Sequence, residues 1–164
     1  MKHFLVYEDE QSRLRILDLQ QHFDGKADTG EEELIQAYRR FLPECGAFIA
    51  CNKEQIPTDY TFRDAWYKGD LHEPVKVDFQ KALAVHRRRL KDAAERKIAQ
   101  LEAEYEVAVK SQNRPQQVAS QRTIEILRSI HDMNMTHCKT INDIKYCVPR
   151  ELKDVWIFWH VLPW

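Results

Sequence analysis

The stretch "DFQKALAVHRRRLKDAAERKIAQLEAEYEVAVK", residues 78–110, decides the fold. Asp78 stands where a helix N-cap belongs. Behind it, Phe79, Leu83, His86, Leu90, Ala94, Ile98, Leu101, Tyr105 and Ala108 recur at steps of three and four. That spacing puts them on one helical face, as a nearly apolar stripe about 45 Å long at 1.5 Å per residue. The other faces are mostly charged. Such a stripe requires a covering partner, because helical propensity alone is marginal in water.

Toward the C-terminus, "QNRPQ" (112–116) breaks the pattern at Pro115. A second helix is expected over about 117–132, with Ala119, Thr123, Ile126, Leu127 and Ile130 on one face. The short break predicts an antiparallel helical hairpin. Pro149 can then start a short helix, "PRELKDVW". The chain ends "WIFWHVLPW", and an exposed end of that composition is an aggregation hazard, so it is expected to be covered. Trp156, Phe158, Trp159 and Trp164 are therefore assigned to contact with a partner.

Toward the N-terminus, "HFLVYE" (3–8) reads as a strand. "RLRIL" (13–17) alternates and can pair with it, although "RLRILDLQQHF" reads equally as a short helix. "DGKADTG" (24–30) is turn chemistry, and Thr29 with Glu32 has capping-box spacing ahead of a helix "EEELIQAYRRFL" (31–42). "AFIAC" (47–51) is another strand. Strand, helix, strand predicts a small α/β module with these two strands adjacent. "GDLHEP" (69–74) is a turn, and "VKV" (75–77) a third short strand.

Between these pieces lies "QIPTDYTFRDAW" (55–66), too polar for a core strand and too aromatic for a plain loop. Phe62 and Trp66 share a face if the segment is a helical turn or two. Arg63 can lay its stem or guanidinium over an aromatic ring, and Asp59 or Asp64 can cap the turn. Phe62, Arg63, Asp64 and Trp66 are read as a structural joint between module and hairpin, ahead of a ligand site. The expected fold is α+β. It comprises a small N-terminal α/β module (1–77), a long antiparallel helical hairpin (78–132), and a C-terminal short helix with an aromatic docking tail (133–164).

Composition narrows function. Charged residues make up 31% of the chain, glycines number four, and net charge is −1. Few glycines leave little material for phosphate-cradling loops, and the charge balance disfavours a nucleic-acid partner. "HRRR" (86–89) fans its arginines around the helix axis, as a solvated face does. Glu102, Glu104 and Glu106 lie further along, giving the hairpin a basic base and an acidic tip. No apolar run approaches the roughly 20 residues that cross a bilayer, so no membrane partner is expected. The opening "MKHFLVYEDE" turns acidic at once, unlike a secretory signal.

Cys45, Cys51, Cys138 and Cys147 form two widely separated pairs, for which reduced thiols are the default. A zinc site with His137 is conceivable, but there is no CxxC knuckle, so no metal is assigned. His131 and His137 flank "DMNMT" without the i, i+4 spacing of a helical metal pair. No GxSxG, HExxH or P-loop pattern occurs. No catalytic residue and no cofactor are assigned.

"IPTDYTFRDAW", "VKVDFQKALAVHRRRL", the long charged helix and the closing "PRELKDVW" together resemble a family of small tailed-bacteriophage proteins without an assigned activity. The matching positions are Ile56, Pro57, Asp59, Thr61, Phe62, Arg63, Ala65 and Trp66. Asp78, Lys81, Ala82, His86 and Arg87 match at the helix start, and Glu151, Leu152, Lys153 and Trp156 at the end. The resemblance covers about residues 47–156; the longer N-terminal part and the extension after Trp156 depart from it. It implies a virion or tail-region role for a protein made in the host cytoplasm, and no chemistry. The expectation is a non-enzymatic structural protein docking on other phage virion proteins, with a homo-oligomer as another way to cover the stripe. The alternative is a tail or fibre assembly chaperone that leaves before the particle matures.

Overall fold

A computed structural model of the chain describes residues 4–19, 36, 39 and 48–156, the side chains of 131 and 132 apart. The fold is α+β, and the chain divides into two compact units, Met1–Asp78 and Phe79–Trp164. Most of the helix expected over 31–42 lies outside the described residues, although residues 36 and 39 within it are helical. Cys45, Phe158, Trp159 and Trp164 also lie outside them.

In the first unit, strands β1 (Phe4–Glu8), β2 (Leu14–Asp18) and β3 (Ile49–Cys51) form an antiparallel sheet in the order β2-β1-β3. The segment that reads as either strand or helix is a strand at Leu14–Asp18, paired with β1 from Phe4↔Asp18 to Glu8↔Leu14. Alternation along β1 supplies both faces of the sheet. Val6 packs with Ile49, Cys51, Ile56, Trp66 and Val75 on one side, and Leu5 packs with Leu19, Leu17 and Ala50 on the other.

The β1–β2 turn is built on Asp9. One carboxylate oxygen accepts from the backbone N–H of Gln11 (3.0 Å) and Arg13 (2.9 Å), and the other from the Nε of Arg13 (3.1 Å) and Arg15 (2.9 Å). These bonds hold Ser12 in the left-handed region at φ 55°. The segment 60–67 is more than the helical turn that its aromatics suggest. Arg63–Ala65 is a single 3-10 turn, after which Trp66 opens strand β4 (Trp66–Lys68). Strand β4 pairs antiparallel with β5 (Val75–Val77) across the expected 69–74 turn. Gly69 donates to the Pro74 carbonyl at 2.9 Å, and a Cβ there would land on the Glu73 carbonyl oxygen.

In the second unit, helix α1 (Phe79–Lys110) is 32 residues long and packs antiparallel on α2 (Arg114–Arg128). Direction follows from the contacts: Gln117 Nε2 donates to the Ala108 carbonyl at 2.9 Å, and Arg128 pairs with Glu102 at 3.1 Å. The tight turn between the helices caps α1 by a Schellman motif. Asn113 N–H donates to the Ala108 carbonyl and Gln112 N–H to the Val109 carbonyl, with Gln112 at φ 54° in the place glycine usually takes. Pro115 does not delay α2. It sits in the first turn, where its missing N–H is no loss, and Asn113 caps the helix by accepting from Gln116 N–H at 3.3 Å.

From Leu90 to Leu101 the stripe on α1 is covered within the unit, while Phe79, Leu83 and Tyr105 are half-buried. Leu90, Ala93, Ala94 and Leu101 pack with Ile124 and Leu127 of α2 and with Leu152 and Trp156. On α2 the seam is turned away from the predicted one. Ser120, Ile124 and Leu127 are buried, whereas Ala119 and Ile126 are exposed.

Two short helices follow. Helix α3 (Ile141–Tyr146) was not anticipated, although Thr140-x-x-Asp143 is a capping box. The expected "PRELKDVW" element is a 3-10 turn, Arg150–Leu152, running into α4 (Lys153–Trp156). Lys97 Nζ on α1 holds Asp154 of α4 at 2.9 Å.

Candidate functional site

The chemistry-bearing side chains converge in the second unit, around the segment 135–147. The chain turns at Met135–Cys138, where Cys138 N–H donates to the Met135 carbonyl at 3.0 Å. Asp143 then gathers the next turn. One of its oxygens accepts from the N–H of Lys139 and of Thr140, each at 2.8 Å, while its own N–H donates to Thr140 Oγ1 at 3.1 Å. Those bonds, the Lys139 N–H first, hold the Asp143 carboxyl below the usual aspartate range. Ile144, fully buried, pins α3 to the core. The six-residue helix carries the chain back, so Cys147 at its C-cap returns to Cys138.

The result is a cluster of three donors. A ring nitrogen of His137, Cys138 Sγ and Cys147 Sγ all lie within 4.8 Å of one another, and Cys147 Sγ is 3.4 Å from His137 Nε2. Cys138 is buried, Cys147 half-buried and His137 exposed, so the cluster opens to solvent on the imidazole side.

Behind the cluster stands His86, the polar residue of the α1 stripe. It is 1% exposed, and its Nε2 lies 3.0 Å from the Cys147 carbonyl oxygen. A carbonyl only accepts, so this nitrogen carries the proton and donates. The ring meets Trp156 edge-on at 5.1 Å. A histidine on an apolar face is thus explained by its bond to the backbone that presents Cys147.

Burial, with the Cys138 thiol beside it, pushes the Cys147 thiol up to about 11. Without a cation Cys147 is therefore a neutral thiol at pH 7, the opposite of an activated nucleophile. Two sulfurs and an imidazole nitrogen form a soft donor set suited to zinc. Two close thiols are also the starting material of a disulfide.

The residues assigned from sequence fall elsewhere. Phe62 and Trp66 are buried, at 3% and 6% exposure, and Arg63 and Asp64 are exposed. Trp66 lies in the first unit's core, and the Tyr60 ring meets it tilted, with centroids 5.3 Å apart. Trp156, expected to meet a partner, is 6% exposed and packs in the core of its own unit against α1. A ring so enclosed offers no surface to another chain. Arg87 and Arg88 are exposed, and with Lys91, Leu90, Met133 and Met135 they help to line a cavity of about 220 Å³. The His137–Cys138–Cys147 cluster has no CxxC pattern, the spacing by which such a site is read from sequence.

Compared with known families, curated proteins and solved structures, the chain matches no family model, no curated protein and no solved structure.

Proposed function

We propose that this chain is a non-enzymatic structural protein of a tailed-bacteriophage particle, made in the host cytoplasm and docked on neighbouring virion proteins. The resemblance of residues 47–156 to small phage proteins supports the setting. The observation that carries the docking role is the hairpin tip. The central part of the α1 stripe, Leu90 to Leu101, is covered within the unit. At the tip, however, Val107 and Val118 remain 65% and 66% exposed, and Val109 is 47% exposed. Scattered apolar residues are ordinary on a surface; here three exposed valines lie beside one tight turn, Val107 and Val109 on different faces of α1, so the tip offers apolar contacts around the turn. Docking uses this tip together with Phe158, Trp159 and Trp164 of the aromatic tail.

Mass spectrometry of purified particles tests the reading. The polypeptide is expected at a fixed copy number in the virion. Its recovery only from infected lysate, bound to a tail or fibre protein and missing from finished particles, would replace this reading with that of an assembly chaperone.

A further inference from the structure

We propose that His137, Cys138 and Cys147 bind one zinc ion, which clips the C-terminal segment of the second unit. The inference is independent of the virion role.

The geometry is that of a site needing little rearrangement. Tetrahedral zinc with Zn–S near 2.3 Å and Zn–N near 2.05 Å places sulfur and nitrogen about 3.6 Å apart. Cys147 Sγ and His137 Nε2 stand 3.4 Å apart, and Cys138 Sγ lies within 4.8 Å of Cys147 Sγ and of a ring nitrogen of His137. Three features hold that arrangement. His86 anchors the Cys147 carbonyl from within the core. The Thr140–Asp143 capping box fixes the start of α3. The Met135–Cys138 turn fixes the other sulfur. A bare thiolate is disfavoured in this half-buried setting, but a dication with two thiolates is neutral, so burial does not oppose the loaded site.

The chemistry balances simply. Two thiols lose their protons to solvent, both sulfurs and the neutral imidazole donate electron pairs to Zn²⁺, and two protons are released per ion. Nothing is oxidised or reduced. Water takes the fourth position on the exposed side, next to His137. The gain is structural. Helices α3 and α4 have six and four residues, too short to hold themselves. A clip across 138–147 removes freedom from the unfolded segment.

The test uses the full chain, reduced, stripped with chelator and titrated with Co²⁺ alone. The expected result is one ion per chain, a thiolate-to-cobalt charge-transfer absorption, two protons released and displacement by Zn²⁺. Cys147→Ser and Cys138→Ser should abolish the absorption, and Cys51→Ser, in the other unit, should leave it intact. Because Cys138 is buried and its variant can fail to fold, His137→Ala serves as control. His137 is exposed, so this variant should keep its helical circular dichroism while binding cobalt at least tenfold more weakly. Absence of the absorption from folded, reduced protein would overturn the proposal. So would an unchanged absorption in the Cys138→Ser/Cys147→Ser variant. A Cys138–Cys147 disulfide in isolated protein that takes up no cobalt after reduction would overturn it as well.

Discussion

Replacing Ile124 by alanine should unfold the second unit far more readily than the same change two residues along at Ile126. The two positions lie about 200° apart around a helix at 100° per residue, so they sit on nearly opposite faces. Ile124 is 7% exposed and packs in the α1–α2 seam, whereas Ile126 is 40% exposed. Truncating a buried isoleucine costs about 2–5 kcal/mol, because the transfer term and the cavity term add. Ile126 leaves no sealed cavity and gives up only part of the ~1.5–3 kcal/mol of a fully buried side chain, so about 1 kcal/mol is the expected loss. A unit of 86 residues, counted from 79 to 164, has a total stability of roughly 4–13 kcal/mol. A loss of about 3 kcal/mol at Ile124 therefore removes a large share of it, and at roughly 4–8 °C per kcal/mol lowers the midpoint by about 12–24 °C. Ile126→Ala should lower it by less than about 8 °C. Thermal and urea unfolding of the full chain, followed by helical circular dichroism, reads mainly this unit, because α1 and α2 belong to it. Equal losses, or a larger loss at Ile126, would mean that α2 is rotated to the face its isoleucine and threonine pattern suggests, and the packing argument would fail.

Gly69→Ala should destabilise the first unit by about 1–3 kcal/mol, since the added carbon meets the Glu73 carbonyl of its own hairpin and the backbone must move; unchanged unfolding of the strand signal would refute that. Asp9 should titrate near pH 2, held there first by the Arg13 N–H, with the Arg15 guanidinium and the Gln11 N–H adding. Its folded value lies below the ordinary 3.8, so its contribution is complete above about pH 4 and is lost as pH falls through about 2. Carboxyl NMR titration checks this, and a midpoint near the ordinary value would show that the β1–β2 turn is not built on this side chain.

Long periodic segments were legible because many residues repeat one signal. The α1 stripe names Leu90, Ala94 and Leu101 correctly as core, and the strands at 4–8, 49–51 and 75–77 follow from short apolar runs. The seam of α2 was not legible, because two of its positions are polar. Gln117 bonds the end of α1, and Ser120 is buried at 4% exposure. With those residues at the interface, the pattern of greatest hydrophobicity points to the wrong face. Strand β4 was hidden for a related reason. Trp66, Tyr67 and Lys68 alternate for only three residues, behind a 3-10 turn whose aromatics imitate helical spacing.

The cluster at 137, 138 and 147 shows a different limit. A CxxC knuckle advertises itself because the local turn alone brings both sulfurs together. Here Cys138 and Cys147 are nine residues apart, and their approach depends on α3, on its Thr140–Asp143 cap, and on a hydrogen bond from His86, 61 residues earlier in sequence. Each part is visible by itself: a histidine on an apolar stripe, a short capped helix, and an adjacent His-Cys pair. Only the fold says that the first holds the backbone of the cysteine carried by the second. A buried polar residue on an otherwise apolar helix face must find a hydrogen-bond partner. The useful question about His86 was therefore which backbone group it fixes, and the answer is the carbonyl of Cys147, which places that thiol beside His137 and Cys138.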